Sequence, residues 1–256
     1  MIPLVVPPLT GLAVLITRPA PQAALLAAAI EQRGGSALLL PAIDVVAIEA
    51  SAVAGHDLVV FVSVNAVAHG ARCITKTTTM RIAAIGKTTA AALDAAGLPV
   101  DLVPESGFNS EGLLAHPELN LVASSRVLIV RGAGGRELLQ ETFTAQGCSV
   151  ETLEVYQRVL PSIDAAQLGA IETAWAEGGI DIVTATSVET LQNLHSLLSE
   201  RGRALLRTTP LLVASQRIMQ AAEEMGLQGE CVVAPGAEDA ALIGAMSYWH
   251  GRARNG

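Results

Sequence analysis

Along the chain, short runs made almost wholly of apolar residues alternate with longer stretches whose apolar residues recur three and four apart. "VLIT" (14–17), "LVVFV" (58–62), "RIAAI" (81–85), "VLIV" (127–130), "DIVTA" (181–185) and "LLVA" (211–214) are of the first kind. Continuous apolar runs of this length suit strands buried on both faces of a parallel sheet, where helices cover either side. The longer stretches read as helices: Ile218, Ala221, Ala222 and Met225 share one helical face. Gly34, Gly97, Gly147 and Gly226 follow such stretches as C-terminal stops. Strands alternating with helices make βαβ units and predict an α/β fold.

The pattern is written twice. "AVLITRPAPQAALLAAAIEQRGGSALLLPAI" (13–43) aligns without a gap on "RVLIVRGAGGRELLQETFTAQGCSVETLEVY" (126–156). "DLVVFVSVNAV" (57–67) aligns on "DIVTATSVETL" (181–191), and "AIGKTTAAALDAAGL" (84–98) on "VASQRIMQAAEEMGL" (213–227). The order of the blocks is kept and only the spacing drifts, as loop insertions after an ancient duplication would produce. Two α/β modules follow; the period is too long and the copies too few for a solenoid.

Composition narrows what such modules do. The 256 residues are 51% hydrophobic, enough for a substantial core. With 16 Lys+Arg against 24 Asp+Glu, the net charge of −8 argues against nucleic acid or an acidic membrane as partner, so an anionic ligand must be held by local groups. Aromatics at 3% offer no platform for stacking bases. No run reaches the ~18 apolar residues of a membrane span. "MIPLVVPPLTG" lacks the basic flank of a signal peptide, and the basic tail "HGRARNG" reads as frayed. Cys73, Cys148 and Cys231 form no CxxC pair, which suggests neither a zinc site nor a disulfide framework and fits a reducing cytoplasm.

Several motifs fail on inspection. "RGAGGRE" supplies Gly132 and Gly134, but the third glycine of a dinucleotide fingerprint would fall on Glu137. "GKT" at 86–88 lacks the earlier phosphate-loop glycine, where Arg81 stands. Asp57 and Asp181 open their strands, the wrong end of a sheet to accept phosphate. His56, His69, His116, His195 and His250 obey no ligand spacing and read as surface or loop residues.

What both halves share is small polar or cationic residues where strands end: Thr17 and Arg18, Ser63 and Asn65, Lys87 with Thr89, Arg131 with Gly132, Ser187, and Ser215 with Arg217. In open parallel sheets ligands bind beyond the carboxyl ends of the strands, where helix N-termini offer N–H donors. Each Ser or Thr alone also reads as a helix cap, and each cation as a solvated charge. The set as a whole points to an anion-binding cleft between two modules.

Taken in order, "VLITRPAPQAALLAAAIEQRGG…LPAI", "FVSVNAV", "AAIGKTTAAAL", "VLIVRGAGGRELL", "VETLEVYQR" and "TATSVETL" resemble the uroporphyrinogen-III synthase family over nearly the whole chain. The resemblance implies two flavodoxin-like α/β domains, residues 1–39 with 162–256 and residues 49–150, joined by a two-stranded connector of 40–48 and 151–161. It implies cyclisation of the linear tetrapyrrole hydroxymethylbilane, with loss of water and inversion of the last pyrrole ring, by a cytoplasmic monomer that uses no metal or organic cofactor. Tyr156 falls on the family's connector tyrosine and would protonate the departing hydroxyl; packing for shape is its other reading. Thr89 and Ser63 fall on a family threonine and serine, although "VSVNAV" lacks the threonine that precedes that serine in the family. The substrate carries an acetate and a propionate on each pyrrole, and "RGAGGRE" resembles a cradle for one carboxylate, with Arg131 or Arg136 beside it. Arg18, Lys87 and Arg217 are further candidates. A non-catalytic two-lobed receptor for an anionic metabolite is the competing expectation.

Overall fold

The computed structural model describes residues 7–255, so the reading of the first six residues lies outside the described residues. The chain divides into two compact units, Met1–Asp44 with Val159–Gly256, and Val45–Arg158.

The first unit holds strands β1 (Ala13–Ile16), β2 (Ser36–Leu39), β8 (Ile182–Ala185), β9 (Leu211–Val213) and β10 (Cys231–Val233) in the order β10-β9-β8-β1-β2, with every neighbouring pair parallel. Helices α1 (Ala20–Glu31), α6 (Ala165–Ala176), α7 (Val188–Leu197), α8 (Glu200–Thr208), α9 (Gln216–Glu224) and α10 (Asp239–Asn255) accompany it. Alternation along each strand divides the core in two. Leu15, Val183, Leu211 and Val213 pack on one face, Val14, Ile16, Ile182 and Leu212 on the other. Burying each such side chain contributes about 1.5–3 kcal/mol.

The second unit holds β3 (Asp44–Ala47), β4 (Leu58–Phe61), β5 (Arg81–Ala84), β6 (Arg126–Gly132) and β7 (Ser149–Val159) in the order β3-β7-β6-β4-β5. Its helices are α2 (Val64–Gly70), α3 (Lys87–Ala95), α4 (Ser110–Leu114) and α5 (Leu138–Ala145). Val59, Phe61, Ile82 and Leu128 face one core cluster, and Leu58, Val60, Ala83 and Val127 the other. Most of the segments expected to be connectors thus belongs to this unit's sheet as β3 and β7.

The sequence repeat superimposes on these sheets strand for strand. β1 and β2 answer to β6 and β7, β8 to β4, and β9 to β5, so both sheets contain the same four-strand order. Each unit is assembled from one piece of either copy. Asp57 and Asp181, equivalent in the repeat, do the same work: each accepts the N–H of the residue opening the neighbouring strand, from Arg126 at 2.8 Å and Ala13 at 2.7 Å. Gly34, Gly97, Gly147 and Gly226 all have φ between 75° and 84°, the left-handed turn that ends a helix.

One expectation fails locally. The tail is helical through Asn255, with Arg252 paired to Glu230, because α10 continues past His250. His56 lies in the loop before β4 and is buried there, its Nε2 3.0 Å from Glu151.

Candidate active site

In each sheet the strand order reverses beside β1 or β6, the place where open parallel sheets offer a crevice outside the carboxyl ends of the strands. In the second unit this crevice lies at the ends of β4 and β6 and opens into a cavity of about 470 Å³. Its walls are Val62 and Ser63 after β4, the turn Gly132–Arg136 after β6, Tyr156 and Arg158 on β7, and Phe108–Ser110 before and into α4.

A β-bulge aims Tyr156 into this space. β6 and β7 pair residue for residue up to Arg131 and Glu154, but Gly132 then meets Tyr156, leaving Val155 as the extra residue. The slip lets consecutive residues Val155 and Tyr156 both join the same apolar cluster instead of facing opposite sides of the sheet. The Tyr156 ring lies across Gly132: a Cβ there would come within 2.5 Å of Cε2 and Cζ, so only glycine admits the ring. The turn is tied to the bulge by the Ala133 N–H, which donates to the Tyr156 carbonyl at 2.8 Å.

The phenol is 5% exposed overall but reaches the cavity, with its Oη 3.1 Å from Ser63 Oγ. Ser63 caps α2 by accepting the Ala66 N–H at 3.0 Å. A hydroxyl has one proton and two lone pairs. Ser63 can therefore cap the helix and still donate to Tyr156 Oη, leaving the phenol's proton for a ligand. The His69 ring, 5.9 Å from the Tyr156 ring, packs alongside.

Two arginines at the cavity are held by internal carboxylates. Arg131 reaches Glu154 at 3.3 Å and the carbonyls of Gly135 and Arg136 at 3.3 and 3.4 Å, all long contacts, while its buried Nε has no partner. Arg136 meets both oxygens of Glu111, at 3.1 and 3.5 Å. Its own backbone N–H and Arg136 hold the Glu111 carboxyl below the usual carboxylate range, against the opposing effect of desolvation.

Of the residues expected from sequence, Ser63, Arg131, Gly132, Arg136 and Tyr156 are gathered at this one cavity. Asn65 lies in the first turn of α2, and Thr89, buried in the first turn of α3, is likewise outside the lining. Lys87 is exposed at the start of α3, its Nζ 5.2 Å from the centre of the Phe108 ring, and borders a separate shallow pocket. In the first unit Thr17 is fully buried and donates to the Thr184 carbonyl at 2.5 Å. Arg18 is buried against Asp239, Ser187 caps α7 through the Thr190 N–H, Ser215 precedes α9 without capping it, and Arg217 is exposed beside Glu189 and Glu224.

Sequence reasoning passed over Arg158, Phe108 and Ser110. Arg158 was legible, since it stands two residues beyond Tyr156 on an extended segment and alternation gives both the same side. Phe108 and Ser110 carried no such signal. Among the described residues no group of three or more His, Cys, Asp or Glu could hold a metal ion, and no helix is long and apolar enough to cross a membrane. Burial pushes the Cys148 thiol up, and burial with the nearby Glu223 does the same to Cys231, so neither is an activated thiolate.

A cavity with one buried phenol, a glycine turn and arginines suits an acidic organic ligand to which a proton is given. The family model described as Uroporphyrinogen-III synthase HemD matches residues 24–244. The chain belongs to the uroporphyrinogen-III synthase family. It is 36% identical to the Uroporphyrinogen-III synthase of Salmonella typhimurium over 250 residues, covering 92% of this chain and 100% of that one. The Escherichia coli enzyme of the same name is 41% identical over 165 residues, 64% of this chain and 65% of that one. Among solved structures, uroporphyrinogen-III synthetase from Helicobacter pylori has a TM-score of 0.58 at 13% identity, covering 91% of this chain and 97% of that one. A mutant uroporphyrinogen III synthase from Thermus thermophilus gives 0.54 at 19%, covering 95% and 99%. These two likenesses establish the fold: α/β, with two five-stranded sheets.

Proposed function

We propose that the chain cyclises hydroxymethylbilane to uroporphyrinogen III, losing water and inverting ring D through a spiro intermediate. Family membership supports the reaction, and the observation that carries the site is the Tyr156 hydroxyl, held by Ser63 at the wall of a cavity bordered by arginines.

Ring A's hydroxymethyl oxygen takes the Tyr156 proton and leaves as water, pushed by electrons from the pyrrole nitrogen. Ser63, donating to Tyr156 Oη, stabilises the negative charge left on the phenol. The resulting electrophilic carbon is attacked by ring D through its already substituted carbon; the spiro product fragments and recloses at the other carbon, whose hydrogen leaves as a proton and restores the Tyr156 phenol. Arg131, Arg136 and Arg158 meet acetate and propionate groups of the substrate, fixing the chain ends so that the spiro route outruns direct closure. The same reading makes the protein a cytoplasmic monomer; its three free cysteines suit a reducing compartment.

The test is to supply hydroxymethylbilane and determine the product isomers. The type III isomer is expected to exceed the type I macrocycle that forms spontaneously; an isomer ratio equal to that without protein overturns the proposal.

A further inference from the structure

Arg131 and Arg136 border the cavity, yet each spends its charge on a carboxylate of the same unit, Glu154 and Glu111 respectively. The two pairs differ. Arg131–Glu154 is largely enclosed on the arginine side, whereas Arg136–Glu111 is open to solvent, with side-chain exposures of 66% and 53%. The open pair joins the glycine turn, which forms one wall of the cavity, to α4, which follows directly on the Phe108–Ser110 segment that forms another. Both guanidinium nitrogens of Arg136 face both oxygens of Glu111, the fork geometry that a ligand carboxylate would itself adopt.

We propose that Glu111 is a specificity-determining residue that occupies Arg136 as a placeholder, and that a substrate carboxylate displaces it on binding. This rests on the reading of the cavity as the site for an acidic tetrapyrrole. The exchange conserves charge pairing: one carboxylate leaves the guanidinium as another arrives, so Arg136 is never unpaired. An exposed ion pair contributes little and is lost at small cost. A ligand without an acid group at the right place gains nothing to offset that loss, and the pair thereby selects for acids.

The test is the KM for hydroxymethylbilane in Glu111→Gln, in Arg136→Gln and in the double variant. Glu111→Gln is expected to lower KM about two- to fivefold, the worth of an exposed pair, with a smaller change in kcat. In the Arg136→Gln background the same substitution is expected to have no effect, because the arginine it frees is gone. Removing any negative charge would strengthen polyanion binding somewhat, so Glu141→Gln, at an exposed position of α5, measures that general effect. An unchanged or raised KM in Glu111→Gln, a gain equal to that of Glu141→Gln, or a gain that persists without Arg136 overturns the placeholder role. All three outcomes require a wild-type protein that makes the type III isomer, so they are distinguishable from failure of the proposed reaction.

Discussion

At the ends of β1 and β6, which the repeat aligns, Arg18 and Arg131 occupy equivalent positions, and beyond them the two units diverge. In the first unit the next residue is Pro19, and α1 begins at once at Ala20 with Pro21 in its first turn, where a fixed φ and a missing N–H do no harm. In the second unit Gly132 stands in place of Pro19, and residues 133–136 form a turn with Gly134 at φ 71°; α5 starts only at Leu138. The residues equivalent to the first turn of α1 thus line the cavity. The position of Tyr156 is held in the first unit by Ile43, a buried aliphatic residue. One scaffold has been used twice, and the cavity that the proposed reaction needs opens in the unit whose helix starts late, where the turn Ala133–Arg136 lines it.

The sharpest way to break this contrast is Tyr156→Phe, which keeps the ring over Gly132 and removes only the hydroxyl. Turnover is expected to fall about a hundredfold or more, the usual worth of a positioned proton donor, with the unfolding transition little changed. Wild-type turnover would make the second unit's edge as inert as Ile43 suggests for the first.

Gly132→Ala comes next. Its Cβ cannot coexist with the ring where it now lies, so the side chain must rotate or β7 must shift. About 1–3 kcal/mol of stability should be lost, with roughly a tenfold fall in kcat/KM as the phenol leaves Ser63. The equivalent Pro19→Ala should cost only about 0.4–1 kcal/mol, through the entropy of the unfolded chain. Denaturant unfolding of the two variants measures the difference; equal losses would contradict the close approach.

Ser63→Ala and Ser187→Ala remove equivalent helix caps and should each cost about 1 kcal/mol in thermal or denaturant unfolding. Ser63→Ala should in addition lower kcat several-fold, since its hydroxyl also meets a phenol; stability loss with unaltered kcat would reduce Ser63 to a cap.

The smallest effect concerns the edge beyond β5. Where the first unit has β10, the second has a single bridge between Ala83 and Leu102. Beside that bridge Asp101 accepts the Ile82 N–H and a Lys76 ammonium, both at 2.7 Å. Desolvation raises its pKa, but Lys76, the Ile82 N–H and Arg81 together outweigh it and hold the carboxyl below its ordinary 3.8. A depressed pKa in the folded state gives stability that is complete above the unfolded value and is lost as pH falls through the folded one. Asp101→Asn should therefore destabilise by under about 1 kcal/mol at neutral pH, and by progressively less below pH 3.8. A pH-independent difference would show that the charge is not what holds the edge.

Much of the fold could be read from the chain because buried parallel strands leave an unbroken apolar signature and duplicated modules reinforce one another. All six apolar runs are strands. The short β2, β3 and β10 were less legible: their apolar residues are half exposed at sheet edges, so burial does not enforce a continuous run. At the site, Ser63, Arg131, Gly132 and Arg136 were singled out because each stands at a strand end or in a glycine turn, and Tyr156 because it falls on the family's connector tyrosine. The bulge could not, since a one-residue slip in pairing has no local composition. Nor could the internal engagement of Thr17 and Arg18, which depends on Thr184 and Asp239 from far along the chain. A strand-end residue reads the same whether it faces a ligand or a distant partner in the sheet.

Whether the late-starting helix made the catalytic site is decided most directly by a crystal structure of the protein with the tetrapyrrole product bound. The Tyr156 hydroxyl should lie at the pyrrole ring that lost its hydroxyl, with ligand carboxylates on the Gly132–Arg136 turn and its arginines. A tetrapyrrole bound in full without touching Tyr156 or that turn would contradict it.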